Sequence, residues 1–504
     1  MKYFHKFNSQ QEFNEAYNGS EYTQPWVSYT VEGKEIDYNK HSKEYWKNFN
    51  SPFTIEALGT GEITWALGSK TLSYQKNNGN VELMTSGVSI PVVEGDVVQF
   101  KGNNTDYSGC NISSTANFNV KGNIMSLINE NNYISIKRFT YTNNSVFAEL
   151  FKECTTIISA ADLILPATIL YNACYNSMFQ NCTNLISAPE LPATTLSSYC
   201  YEYMFKGCTS LINIPKILPA TTLTSGCYEE MFYGCSSLTN APILPATTLA
   251  SRCYCSMFSR CTNLIDAPEL PATILDSKCY YGMFTRCSSL VNAPKLPATT
   301  LPDYCYEFMF SYCTSLTETP EIHGTILKQY CCYQMFSYCS NLTKVSSSFS
   351  ITEVQFYCCN SMFMQCTSLT EVPSTLLQAT ILAESCYENM FYNCNTLTVA
   401  PAILATTLAS SCCHSMFEGC SSLTTAPILN ASVLPQRCYE SMFRNCLSLN
   451  AVTCLATTME NASTLSWLSG TASSGTVTVA SGSTWIQNSS SGIPTGWTRV
   501  DVNI

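Results

Sequence analysis

A repeat constrains this chain more than any other feature. A Met-Phe pair recurs at Met178, Met204, Met231, Met257, Met283, Met309, Met335, Met362, Met390, Met416 and Met442, at intervals of 26 or 27 residues with one of 28. Self-similarity with a period of some tens of residues is the mark of a solenoid, propeller or array. A degenerate unit, Leu150-Phe151-Lys152-Glu153-Cys154, precedes the first clear one and reads as an amino-terminal cap. One unit cannot bury its own apolar face, so units must stack. About twelve layers at the roughly 4.8 Å strand spacing make a rod of about 60 Å.

In the unit that begins at Cys253, Cys253, Met257 and Cys261 share one stripe at about 100° per residue, with Tyr254 and Phe258 widening it. That spacing predicts a two-turn amphipathic helix opening each unit. Leu264 then starts an extended Leu-x-x-Ala-Pro-x-Leu-Pro segment, and this leucine stands in all eleven units. Proline cannot donate to a ladder, so the strands must be short. Pro189, Pro215, Pro242, Pro268, Pro294, Pro320, Pro373, Pro401 and Pro427 form a column that fixes φ at one point of most layers.

The cysteines keep time with the repeat, 26 of the 29 lying between Cys174 and Cys446. Partners eight residues apart on a helix are roughly 12 Å apart, too far for a disulfide. Zinc favours closer ligand pairs. The thiols are therefore expected as two columns of small buried hydrophobes. Cys255, Cys332, Cys359 and Cys413 are additional, lie on or near the tyrosine column, and are expected to be the most exposed and reactive.

Composition changes outside the array. Residues 1–50 hold no cysteine but thirteen charged and twelve aromatic residues, a separate aromatic attachment segment whose candidate contacts are Pro25, Trp26, Tyr29 and Trp46. Over 51–125 the apolar residues alternate (Phe53/Ile55/Ala57, Ile63/Trp65/Leu67, Leu72/Tyr74, Val81/Leu83, Val88/Ile90/Val92) and Asn77-Asn78-Gly79-Asn80 signals a hairpin. That pattern predicts a small β-sandwich. Residues 126–455 are the solenoid with its cap. Residues 456–504, rich in Ser, Thr and Gly, read as a carboxy-terminal cap with short strands.

The Phe-x-x-Cys-[Ser/Thr]-x-Leu-Thr pattern followed by proline resembles the BspA-like leucine-rich repeats, over residues 147 to about 455. The period is longer than is usual there, a second cysteine opens each unit, and Leu-Pro-Ala-Thr-Thr-Leu replaces the usual connection. The order of an aromatic segment with Pro25-Trp26-Val27-Ser28-Tyr29, a β-domain and these repeats also resembles proteins of gut Bacteroidales and their crAss-like tailed phages. The resemblance implies an α/β solenoid of leucine-rich-repeat type and a binding or structural role. It further implies a virion component such as a head fibre, decoration protein or tail-associated adhesin, with a BspA-type bacterial surface adhesin as the alternative.

Two columns are candidate ligand surfaces. Tyr175, Tyr201, Tyr228, Tyr254, Tyr280 and Tyr306 are read first as packing beside the core stripe and second as a stacking platform for sugars. Glu190, Lys216, Glu269, Lys295 and Glu321, between the two prolines of their units, should face solvent and pair laterally. Net charge is −11 with no Lys/Arg-rich block, so a nucleic-acid partner is not expected. No apolar run reaches the length of a membrane span, and the first residues lack the apolar stretch of a secretory signal, which suggests cytosolic synthesis with reduced thiols. No activated nucleophile, paired carboxylates or phosphate loop appears, and His5, His41, His323 and His414 carry no motif. No enzyme, metal or cofactor is expected. The partners expected are other virion proteins at the first 125 or so residues, whose removal should leave a folded solenoid, and a host or gut surface protein or glycan along the solenoid. Homo-oligomerisation is left open.

Overall fold

Where a helix is expected in each unit, the chain forms a run of turns. The computed structural model describes residues 28–31, 34–37, 43–139, 144–460, 462–487 and 490–503. The residue before each first cysteine, each methionine and each second cysteine has positive φ: Arg252 (59°), Ser256 (51°) and Arg260 (64°) in one coil, Tyr304 (61°), Phe308 (57°) and Tyr312 (62°) two coils on. Peptide N–H groups alternate in direction. Tyr201, Tyr203, Phe205 and Gly207 donate to the carbonyls of Cys227, Glu229, Met231 and Tyr233 in the next coil at 3.0, 2.9, 2.9 and 2.7 Å. Between them Met204, Lys206 and Cys208 donate to carbonyls three residues back, on Tyr201, Tyr203 and Phe205, at 3.2, 3.0 and 3.1 Å. Half of the amides shape the coil and half join it to its neighbour.

Layer spacing explains why the helix loses. The phenylalanines after each methionine stack face to face from Phe151 to Phe443 with centroids 5.0 to 5.7 Å apart. An α-helix with its side chains is about 10 Å across and cannot repeat at that interval. A turn run one backbone thick can, and its sideways amides satisfy the main-chain polar groups that burial would otherwise orphan.

The second half of each coil behaves as expected. The corner leucines, Leu185 through Leu449, are fully buried. The strands are brief: Thr300–Leu301, Ile326–Leu327 and Glu353–Val354 pair in parallel, and elsewhere single bridges such as Thr195 to Thr222 to Thr248 continue the ladder. The chain is thus a solenoid of stacked coils, as the period predicts.

Ahead of the coils, β1 (Ser28–Val31) and β2 (Lys34–Asp37) form a hairpin, followed by helix α1 (Lys43–Asn50). Then come β3 (Phe53–Ala57), β4 (Gly61–Ala66), β5 (Leu72–Lys76), β6 (Val81–Met84), β7 (Ser89–Val92), β8 (Val97–Lys101), β9 (Asn111–Ser114), β10 (Phe118–Asn123) and β11 (Ile157–Ile164). They make a six-stranded sheet, β11-β10-β3-β8-β5-β6, and a three-stranded one, β7-β4-β9. Phe53 of the first sheet meets Trp65 of the second edge to face at 6.0 Å. Asn77 and Asn78, both at positive φ, close the β5–β6 hairpin. Val81 and Leu83, counted in the inward alternation, instead lie exposed on edge strand β6, where Met84 is the buried residue.

These sheets are the solenoid's first layers as much as a separate unit. Parallel to β10 runs β11, and β11 bridges onward from Ser159 to Ser187 and from there to Asn213. Tyr107 stacks on Phe147 at 5.7 Å, Phe147 on Tyr175 at 5.9 Å, and Phe53 touches Phe151 at 6.1 Å. One apolar core runs from Phe53 to Trp497. Removing residues 1–125 would uncover Phe147, Phe151 and the edge of β11, so the expected release of a finished solenoid does not follow from this packing. At the far end, strands Ala451–Cys454, Gly475–Ala480 and Trp497–Val502 pair in parallel, and Trp467 stacks on Trp485 at 4.9 Å.

The left-handed positions yield a test. Gly207 (φ 75°) leaves room for the Asn181 side chain of the preceding coil, which a Cβ would strike. Gly207→Ala should destabilise by about 2 kcal/mol. Ala173 sits at φ 55°, so Ala173→Gly should stabilise by about 0.5 kcal/mol, the relief of left-handed strain exceeding the added chain entropy. Denaturant midpoints moving in opposite directions would bear this out; an unchanged Gly207→Ala would refute it.

Candidate ligand-facing surface

The sequence-derived candidates separate into core and surface. The six tyrosines are core: each is at most 2% exposed, and their rings cover one another at 5.7 to 6.1 Å. A ring covered on both faces cannot receive a sugar, which corrects the platform reading in favour of packing. Burial first, and then the neighbouring thiols and phenols of the columns, drive their phenol pKa values well above the usual range. Among the described residues the hydroxyls of Tyr175, Tyr201, Tyr228 and Tyr387 have no hydrogen-bond partner, a cost the stacking offsets.

The cysteines are core too, and the extra four need correction. Cys332, Cys359 and Cys413 are fully buried and Cys255 is 5% exposed. The first three take the place of tyrosine in the tyrosine column. The second cysteine of each coil does more than fill space. From Cys182 to Cys446 its S–H donates to the carbonyl of the phenylalanine one coil back, eleven times, at 2.9 to 3.2 Å. A valine or alanine would pack there but could not donate.

On the strand side, Glu190, Lys216, Glu269, Lys295 and Glu321 are exposed as expected. Lys295 Nζ lies 3.7 Å from Glu321 Oε2 with both side chains mostly in water, an interaction of about 0–1 kcal/mol. Pro25 and Trp26 lie outside the described residues. Tyr29 is in β1, opposite Ile36, and Trp46 is in α1. His414, read as a variable position, is within 3.1 Å of a Glu388 carboxyl oxygen. Among the described residues no group of three or more His, Cys, Asp or Glu side chains could hold a metal ion, and no helix is long and apolar enough to cross a membrane.

The turn face carries a surface that the sequence reading missed. Tyr304, Tyr330 and Tyr357, each before a first cysteine, stack at 5.2 Å along the outside of three successive coils. Beside them Phe308 meets Tyr281 at 5.6 Å and Tyr333 at 5.4 Å, edge to face. All are only partly buried. Tyr312 and Tyr338, before second cysteines, stack at 4.4 Å. Six of the nine aromatic residues at positive φ belong to this stretch: Tyr304, Phe308, Tyr312, Tyr330, Tyr338 and Tyr357. Bulky residues rarely adopt that conformation, and strain of this kind gathers at functional sites. The visible signal was the succession of tyrosines at one repeat position in three adjacent units.

In the same turn run, between Tyr304 and Phe308, lies Glu307, 9% exposed. Burial pushes its carboxyl up to about 7, with the charge of Lys278 opposing. Lys278 Nζ itself sits 4.8 Å over the Tyr304 ring. The arrangement places partly exposed aromatic surface beside a buried carboxyl.

Comparison with known proteins adds fold neighbours. A leucine-rich repeat protein from Bacteroides ovatus is similar to this chain at 18% identity, with 77% of this chain and 95% of that one covered and a TM-score of 0.44. A leucine-rich repeat protein from Eubacterium ventriosum is similar at 12% identity, with 81% and 95% covered and a TM-score of 0.31. No family model and no curated protein matches the sequence. The solenoid assignment rests on the coil geometry itself.

The thiol and phenol columns set an alkaline limit. Cys339, Cys394 and Cys454 are pushed up to about 12 by burial, whereas an unfolded thiol ionises near 8.5 and a phenol near 10. The folded chain therefore holds more protons than the unfolded chain above about pH 9, and stability falls as pH rises. Below about pH 8 these groups are protonated in both states and contribute no slope. Cooperative unfolding within roughly one pH unit above 9, with few cysteines alkylated in the native protein at pH 8, is the expected result. Native circular dichroism at pH 11.5, or labelling of most thiols, would contradict it.

Proposed function

We propose that the protein is a non-catalytic binding component whose coils form a rigid displayed body and whose ligand surface is the aromatic stretch between Tyr281 and Tyr357. The supporting observation is the cluster of strained, half-exposed rings, which does nothing for the core and exceeds what coil stacking needs. Single tyrosines such as Tyr199, Tyr203 and Tyr233 occur on the same turn face elsewhere, but partly exposed rings stacked along one turn position through three successive coils are found, among the described residues, in this stretch alone. Tyrosine supplies large contact area with little conformational entropy to lose, which is why it dominates recognition surfaces.

The finer reading, drawn from the resemblance to proteins of gut Bacteroidales and their crAss-like phages, is a virion component. In it the amino-terminal region docks on other virion proteins and the solenoid meets a host or gut surface protein or glycan. The alternative is display on a bacterial cell surface as a BspA-type adhesin. Mass spectrometry of purified phage particles should recover the chain in stoichiometric amount; particles without it, and its recovery in a bacterial envelope fraction, would favour the adhesin. For the surface itself, Tyr304→Ala/Tyr330→Ala should lower adsorption to the target surface about tenfold or more while leaving the circular dichroism spectrum unchanged. Undiminished adsorption would refute the assignment of the ligand face.

A further inference from the structure

We propose that Glu307 and the rings around it bind a protonated amine, a primary alkylammonium group carried by the ligand. This rests on the reading of the aromatic face as a binding surface and names the chemistry it recognises. The argument comes from how the coils treat carboxylates at the position after the tyrosine column. Glu202 accepts from Asn176 Nδ2 at 2.7 Å. Glu229 accepts from Arg252 through two nitrogens, Nε at 3.0 Å. Glu388 is met by His414 Nδ1 at 3.1 Å and Asn360 Nδ2 at 3.2 Å. Glu440 is met by Arg437 Nε at 2.6 Å.

Glu307 is the exception. The same position one coil to either side holds Tyr281 and Tyr333, and Phe308 spans the two rings. No hydrogen bond or ion pair to its carboxyl exists among the described residues, although the side chain is more than nine-tenths buried. Its oxygens are not sealed off from solvent as the four orphan tyrosine hydroxyls are. The charged and titratable groups that act on it are Lys278, which stays over Tyr304, and the phenols of Tyr281 and Tyr330. A buried carboxylate lacking a donor is costly, and ring faces attract cations. An ammonium supplies both missing interactions; a neutral hydroxyl supplies one. This turn face already seats cations on tyrosine rings from within the chain, at Lys206 on Tyr203 and Tyr233 (4.8 and 4.9 Å) and at Arg286 on Tyr312 (4.4 Å).

Titration calorimetry of the full chain with Nα-acetyl-lysine amide, and separately with glucosamine, tests this, each against its N-acetylated neutral counterpart. Binding of at least one free amine in preference to its neutral form is expected, and which pair responds tells a peptide-borne from a sugar-borne amine. Because Glu307 must be ionised, affinity for the lysine amide, whose amine stays protonated throughout, should rise roughly tenfold from pH 6 to pH 8, and by less for glucosamine, whose amine loses its own proton in that range. Glu307→Gln, which removes a buried charge and should fold, is expected to lose both the binding and the pH dependence. Equal binding of neutral and charged forms, no binding of either amine, or unchanged affinity in Glu307→Gln would overturn the site. If adsorption fails in Tyr304→Ala/Tyr330→Ala while the parent binds no amine, the surface role stands and this ligand chemistry falls.

Discussion

Everything in this molecule follows from fitting a coil into a layer 5 to 6 Å thick. A helix is too wide for that layer, so the chain spends every second amide sideways and every other one on a turn. The sideways bonds require alternate amides to face the next coil and the carbonyls that receive them to face the preceding one, and that in turn places a left-handed residue once in every four. Side chains between those points are then held in register with their counterparts a full coil away. Phenylalanine stacks on phenylalanine and tyrosine on tyrosine because the backbone leaves them no other neighbour.

Within that register the second cysteine has a task that its hydrophobicity does not explain. The phenylalanine carbonyl accepts one bond from the cysteine amide of its own coil, as Cys208 N donates to Phe205 O at 3.1 Å. The thiol of the next coil, Cys235, then donates to the same oxygen at 3.1 Å. Each oxygen has two lone pairs, and burial away from water makes both worth satisfying. Sulfur is large enough to fill the corner and polar enough to donate, and burial suppresses the ionisation that would make it reactive. Reduced thiols here are structural elements of a dry interior.

The stacking, the layer register, the buried leucines and the depth of the thiols were legible in the sequence because each is a column, and columns survive any reading of the local backbone. The turn run was not read, although the spacing held the clue: Cys, Met and Cys are four apart without exception in eleven units. A helical stripe tolerates steps of three and four, whereas a four-residue turn module does not. Gly207, Gly234, Gly419, Asn181, Asn393 and Asn445 before the second cysteine pointed the same way, since glycine and asparagine favour positive φ. The domain boundary near residue 125 follows from where the period-two alternation ends. The alternation stops there, but Tyr107 and Phe53 continue the aromatic columns across it.

The candidate site escaped the sequence reading for a related reason. Repeats draw the eye to what recurs, and a binding surface on a solenoid is what fails to recur. Glutamate at the Glu307 position looks ordinary beside Glu202, Glu229, Glu388 and Glu440 until the neighbouring coils are laid against it and prove to hold tyrosines where the others have donors. The same holds for Tyr304, Tyr330 and Tyr357, three in succession at a position that elsewhere holds residues such as Ala173, Gly226, Arg252 and Ser411 and one isolated tyrosine, Tyr199. Their strain is borne because a solenoid distributes stability over many equivalent layers, so a few coils give up part of theirs without unfolding the rest. A chain built of near-identical coils thereby gains one place that differs, held rigid by the sameness on both sides.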